Sequence, residues 1–289
     1  MIALLLVFVV PSAAVKGSQL SINVAVDLVN VNFSAMDRNG RMIAGLTADD
    51  FTVEEDGKTQ KITLFARESE LPLTLALLVD ISPSVVPVFD EEKRAASGFL
   101  KTVLGRRDLA SVIEFNSHVT LIQDFTVDLD LLTDAIREME PRGTGTSMFD
   151  AVYLAAEEKL SQETGRRAIV LITDGEDTTS EYSSSKAIIA VHKSDISIYS
   201  ISIGPNSNVL RRLSEETGGA FFRIRGSGDF EEIFKQIATE LRTQYSIAYH
   251  STNLARDGGF RRIKIIPKDS RITVRARRGY YAAQNPSSN

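Results

Sequence analysis

Leu71-Pro72-Leu73-Thr74-Leu75-Ala76-Leu77-Leu78-Val79, followed at once by Asp80-Ile81-Ser82-Pro83-Ser84, is the stretch that decides the fold. The first part is nearly all apolar and reads as a strand buried on both faces, which is the mark of a parallel sheet covered by helices. Polar chemistry begins where that strand ends. Downstream, helical periodicity over 89–104, 131–138, 148–160, 184–192, 209–217 and 230–243 alternates with strand patterns over 109–115, 168–173, 196–203 and 220–224. Alternating units of this length imply an α/β domain over 70–243, with a doubly wound, Rossmann-like, mostly parallel sheet and helices on both faces.

The flanks have a different texture. Leu20, Ile22, Val24, Val26 and Leu28 alternate with period two, then the pattern slips by one residue to Val29, Val31, Phe33 and Ala35. Such a slip sends the apolar set to the other face, so a bulge or a strand that changes sheets is expected. Asn39-Gly40 and Asp56-Gly57 are hairpin signals, with strands expected over 51–54 and 61–65. After Gln244 the strand pattern returns at 245–249, 260–266 and 271–276. Three terminal strands make a poor independent unit. The economical arrangement pairs them with the N-terminal strands, so that the α/β domain is inserted into a small β-sandwich-like domain formed by both termini, 18–69 and 244–283. Residues 284–289 read as a disordered tail.

At 289 residues, 43% hydrophobic and 25% charged, the chain is globular, and its net charge of -5 gives no reason to expect a nucleic-acid or anionic-membrane partner. Without cysteine there is neither a disulfide nor a thiolate metal site. Residues 2–10 form an unbroken apolar run that ends at Pro11-Ser12-Ala13-Ala14. Over 1–17 this resembles a secretory signal peptide, although no Lys or Arg precedes the run; a buried N-terminal strand is the alternative. The run is shorter than the roughly 20 residues needed to span a bilayer, so no membrane span is expected. The protein is expected to be exported: periplasmic, secreted or at the cell surface.

Three separated pieces carry the chemistry: Asp80-x-Ser82-x-Ser84, the Gly143-Thr144-Gly145-Thr146 loop, and Thr173-Asp174-Gly175. Open α/β sheets bind ligands at the carboxyl ends of their strands, so Asp80 and Asp174 can share one rim. Carboxylates and hydroxyls suit a hard divalent cation, Mg2+ or Mn2+/Ca2+. With neutral Ser82, Ser84 and Thr144 among its ligands, such an ion is under-neutralised. It then seeks an anion from outside, such as the Asp or Glu carboxylate of a protein partner. Glu176 and Asp177 read as rim charges, and Thr146 or Ser147 as a helix N-cap.

The order of these pieces, with gaps of 64 residues (80 to 144) and 30 (144 to 174), resembles the von Willebrand factor A (VWA) domain and its metal-ion-dependent adhesion site, over roughly residues 71–243. Ile113-Glu114-Phe115-Asn116 and the run from Val170 to Gly175 are similar to later strands of that family. The resemblance implies that Ser82, Ser84 and Thr144 give hydroxyls to the ion, while Asp80 and Asp174 act mostly through water or serine hydroxyls. Pro83 departs from the glycine frequent at that position, removing a backbone donor and stiffening the loop. The flanking Gly45-Leu46, Asp50-Phe51, Glu54-Glu55-Asp56-Gly57-Lys58 and Arg278-Gly279-Tyr280-Tyr281 resemble bacterial, Acidobacteria-type exported proteins with a VWA-related domain.

The main alternative to an adhesion or interaction module is a metal-dependent, phosphoesterase-like hydrolase using the same carboxylates. That reading lacks a positioned base, because His118, His192 and His250 are scattered over an expected loop, a helix end and a strand end. No phosphate-binding or dinucleotide glycine motif follows a strand either. A third reading rests on residues 255–278, where nine Lys or Arg face two Asp. Their alternation with Ile263, Ile265, Ile272 and Val274 reads instead as the wet face of a half-buried hairpin.

Overall fold

A computed structural model describes residues 28–67, 71–204, 208–226 and 228–284. The expected leader, the first half of the alternating segment and residues 285–289 lie outside the described residues.

The chain opens with four strands: β1 (Leu28–Met36), β2 (Phe51–Glu55), β3 (Lys58–Gln60) and β4 (Ile62–Arg67). Asp56 and Gly57 sit at φ 47° and 78°, the two-residue turn that joins β2 to β3. The Asn39-Gly40 turn closes only an isolated bridge between Met36 and Met42, not a full hairpin. There follow β5 (Leu73–Asp80), α1 (Phe89–Val103), β6 (Leu109–Phe115), β7 (Val119–Thr126), α2 (Leu129–Glu138) and α3 (Met148–Tyr153). The α/β part continues through β8 (Arg166–Thr173), α4 (Ser184–Lys193), β9 (Ile196–Ser202), α5 (Asn208–Thr217), β10 (Phe221–Arg223) and α6 (Asp229–Thr243). Last come β11 (Tyr245–His250), β12 (Phe260–Pro267), β13 (Thr273–Ala276) and β14 (Gly279–Tyr281). The expected helix over 148–160 is α3 extended by a π-helical turn, Leu154–Lys159. A 3-10 segment, Pro83–Val88, precedes α1.

The central sheet runs β10-β9-β8-β5-β6-β7, parallel except for the β6–β7 edge pair. Its two faces are separate cores. Leu73, Leu75, Leu77 and Val79 of β5 pack with α1, α2 and α6, whereas Ala76 and Leu78 pack with α3, α4 and α5. Burial on both faces is why β5 reads as an unbroken apolar run.

Two further four-stranded sheets, β13-β1-β11-β4 and β14-β12-β2-β3, mix strands from both ends of the chain. β1 pairs with β11 and β13, and β2 with β12, all antiparallel. Between these sheets lies an apolar layer that includes Val31, Phe33, Phe51, Val53, Tyr245, Ile247 and Ile263. Buried Glu55 of β2 accepts hydroxyl hydrogen bonds from Tyr249 (2.9 Å), Ser251 (2.6 Å) and Tyr280 (3.0 Å). The basic stripe over 255–278 is extensively ion-paired: Arg261 with Asp257, Arg271 with Asp269, Arg275 with Glu240, Arg277 with Asp195 and Arg278 with Glu215. Among the described residues no helix is long and apolar enough to cross a membrane.

The chain leaves and re-enters the paired sheets at one place. Arg166, at the start of β8 and almost fully buried, donates to the Leu71 carbonyl (3.1 and 2.8 Å) on the way in and to the Leu241 carbonyl on the way out. Removing the guanidinium strands buried carbonyls, each costing about 1–3 kcal/mol. Arg166→Met is therefore expected to lower the unfolding free energy by about 2–4 kcal/mol in urea titrations.

Where α4 meets the paired sheets, buried His192 lies edge-on to Phe260 at 5.4 Å between ring centroids. Burial, reinforced by nearby Arg277, lowers its imidazole to about 4. The folded value lies below the ordinary one of 6.5, so this stability is complete above pH 6.5 and is lost as pH falls toward 4. Urea midpoints across that range should drop for the native protein by an amount equivalent to roughly 3 kcal/mol, and His192→Gln should flatten the fall.

Candidate metal centre

The sheet reverses direction between β5 and β8: β5 leads through α1 to β6 on one side, and β8 through α4 to β9 on the other. A crevice forms at the carboxyl ends of two such strands. Asp80 ends β5 and Asp174 follows β8. The pairing of Val79 with Ile172 sets Asp80 beside Thr173.

Asp80 is completely buried (0% exposed). Its Oδ2 accepts from the Thr173 hydroxyl at 2.7 Å and its Oδ1 from the Ser82 N–H at 2.9 Å. Burial raises its carboxyl above the ordinary range, and nearby Asp174 pushes the same way; the Thr173 and Ser82 hydrogen bonds oppose this. The Ser82 and Ser84 hydroxyls lie 2.9 Å apart, Ser82 buried and Ser84 exposed. Asp174, half-buried, accepts from the Glu176 N–H at 2.9 Å.

Thr144 is exposed, in a loop held from both sides. On one side the Arg142 N–H donates to the Ile81 carbonyl (2.7 Å), tying the loop to the residue after Asp80. The Arg142 side chain pairs with buried Glu114 at the end of β6. Asn116 completes the support, donating from its side chain to the Arg142 carbonyl (3.1 Å) and accepting the Ser147 N–H on its own carbonyl (2.6 Å). Gly143 sits at φ +90°, and a Cβ there would meet the Asn116 side-chain nitrogen at 2.7 Å, so only glycine fits. On the other side the Thr146 N–H donates to the Thr178 hydroxyl (3.0 Å), and the Thr178 N–H returns to the Thr146 carbonyl (2.9 Å). The three sequence motifs are thus bonded pairwise, Asp80 to Thr173, Ile81 to Arg142, and Thr146 to Thr178. Among the described residues, the Thr144 hydroxyl itself makes no hydrogen bond to the other four candidate side chains.

The expected N-cap at Thr146 or Ser147 takes another form. Ser147 occupies the cap position without capping through its side chain, and Asp177 and Ser180 accept the Phe149 N–H instead (3.2 and 3.1 Å). Asp177 is therefore a helix anchor rather than a free rim charge. Two residues that hold this arrangement together lie outside the candidate set: Thr173 and Asn116. Among the described residues no three His, Asp or Glu side chains converge as a metal cluster. Two carboxylates on one rim, with the paired Ser82 and Ser84 hydroxyls beside Asp80, nevertheless fit a hard cation held largely by neutral oxygens. Both Asp80 oxygens are already engaged, which suits a carboxylate acting through an intervening hydroxyl.

Residues 74–236 match the sequence profile of the von Willebrand factor type A domain, and the chain belongs to that family. No curated protein matches it in sequence. Among solved structures, BatB from Bacteroides thetaiotaomicron aligns with a TM-score of 0.51 at 19% identity, over 59% of this chain and 100% of its own. A von Willebrand factor type A protein from Catenulispora acidiphila aligns with a TM-score of 0.54 at 13% identity, over 90% of this chain and 74% of its own. Proximal thread matrix protein 1 from the mussel byssus, solved with zinc in its MIDAS motif, aligns with a TM-score of 0.51 at 17% identity, over 61% of this chain and 50% of its own. At these identities the likeness is one of fold.

Thr173→Val keeps the side-chain shape but leaves a buried Asp80 oxygen without its donor. The expected cost is about 1–3 kcal/mol of unfolding free energy, read by urea titration in chelator. An unchanged midpoint would show that this hydrogen bond does not hold the rim together.

Proposed function

We propose that the protein is an exported interaction or adhesion module whose sheet rim holds a divalent cation, Mg2+ or Mn2+/Ca2+, and captures an acidic side chain of a partner protein. Ser82, Ser84, Thr144, Asp80 and Asp174 would hold the ion. When bound, it supplies a coordination position open to a carboxylate from outside. The observation that carries this reading is the distribution of charge. Asp80 is sealed in the core and Asp174 is half-buried, while the exposed candidate ligands, Ser84 and Thr144, are neutral, so an approaching acid meets uncharged ligands at the outermost positions.

Asp80 is poorly suited to act as a general base on a substrate from solution, since it is completely buried. That supports capture over hydrolysis. The ion-paired state of the 255–278 stripe likewise supports a protein partner over a nucleic acid. Family membership and the zinc-bound MIDAS motif of the mussel protein add weight to metal use.

The test is capture from the native source on immobilised protein, with Mg2+ and with chelator. Asp80→Ala and chelation should each abolish capture while circular dichroism stays native. Equal capture with and without chelator would sink the mechanism. Metal-dependent phosphoester turnover lost in Asp174→Ala would replace it with the hydrolase.

A further inference from the structure

The buried stripe of α1 consists of Phe89, Glu92, Ala96, Phe99, Leu100 and Val103. Five of these are apolar and pack into the core beneath β5. Glu92 is the exception. It is 1% exposed, and neither carboxylate oxygen has a hydrogen-bond partner in the protein. A carboxylate so placed is costly, and an apolar side chain of similar size would normally serve the fold better. Its location supplies a reason. The helix starts directly after the Asp80–Val88 segment, so its first turn stands level with the carboxyl end of β5. Burial, and after it the nearby Asp80, push the Glu92 carboxyl well above the ordinary carboxylate range, so that a cation is needed to draw out its charge.

We propose that Glu92 is a positioning residue of the cation site, acting on the ion from behind Asp80 without touching it. This rests on the metal reading given above. With an ion bound, Asp80 and Glu92 then put negative charge on its core side, while the exposed candidate ligands Ser84 and Thr144 are uncharged. The unpartnered carboxyl gains its compensation when a cation is present, and part of the ion's neutralisation then comes from the side away from the incoming acid. Residues that support a metal from outside its ligand shell commonly change affinity by about 10- to 100-fold when removed.

The experiment is titration with Mn2+ at fixed pH, following the electron paramagnetic resonance signal of the free ion, for the native chain, Glu92→Gln, Glu92→Met and Asp80→Ala. Thermal unfolding in chelator is run in parallel. Both Glu92 variants should bind Mn2+ about tenfold or more weakly, with midpoints in chelator equal to or above that of the native chain. A purely structural Glu92 would shift the midpoint and leave affinity alone. If both variants bind within twofold of the native chain while Asp80→Ala does not bind, this proposal is overturned and the metal reading stands. If the native chain and Asp80→Ala bind equally, both fall.

Discussion

An α/β unit set between the strands of another sheet pair must depart and return at a single point, and the buried Arg166 guanidinium enforces that geometry by holding the Leu71 and Leu241 carbonyls together. Arg242 works beside it, pairing with Asp108 (2.7 Å) and donating to the Val103 carbonyl. Because the two crossings are clamped, α6 and β5 stand at fixed distance, and every strand paired in register with β5 inherits that reference. The rim at the opposite end of β5 is therefore placed by a contact far from it.

At that rim the structure sorts charge by depth. Asp80 is sunk in the core and hydrogen-bonded by Thr173 and the Ser82 N–H, whereas the exposed Ser84 and Thr144 are uncharged. Burying a charge without full compensation is unfavourable. Under the proposed function, a cation would offset that cost and an external acid would complete its coordination. α6 connects this part of the molecule to the paired sheets, since its Glu240 accepts from Ser34 of β1 (2.7 Å) and from Arg275 of β13 (2.7 Å).

Legibility in the sequence followed the physical range of each signal. β5, β6, β8 and β9 are buried on both faces and announced themselves as apolar runs, and the helices did so by their stripes. β7 was not foreseen. Val119, Leu121, Ile122 and Phe125 keep no strict alternation, because the β6–β7 pairing shifts register twice. β14 is three residues long, too short for any periodicity. At the site, Asp80, Ser82, Ser84 and Asp174 could be read because they follow strand ends. Thr173 could not, since its partnership with Asp80 depends on which strands are neighbours. Asn116 is legible only as the end of a family-like strand, since its grip on the Arg142 carbonyl depends on which loops are neighbours. The pairing of terminal strands was inferred from their inability to stand alone, and β1 with β11 and β13 bears that logic out.

That pairing has a kinetic consequence. Leu28 of β1 meets His250 of β11, and Phe33 meets Ala276 of β13, more than 200 residues along the chain. Closing so long a loop is entropically expensive unless something shortens it, and the α/β unit, once folded, brings its two ends together and does so. As the polypeptide emerges from its N-terminus, β1 must wait without β11 and β13, and the β2–β3 hairpin with the outer edge of β2 open, until the last strands arrive. A chain interrupted before Tyr245 would retain a foldable α/β unit but carry exposed strands with no partner, a template for association with other copies.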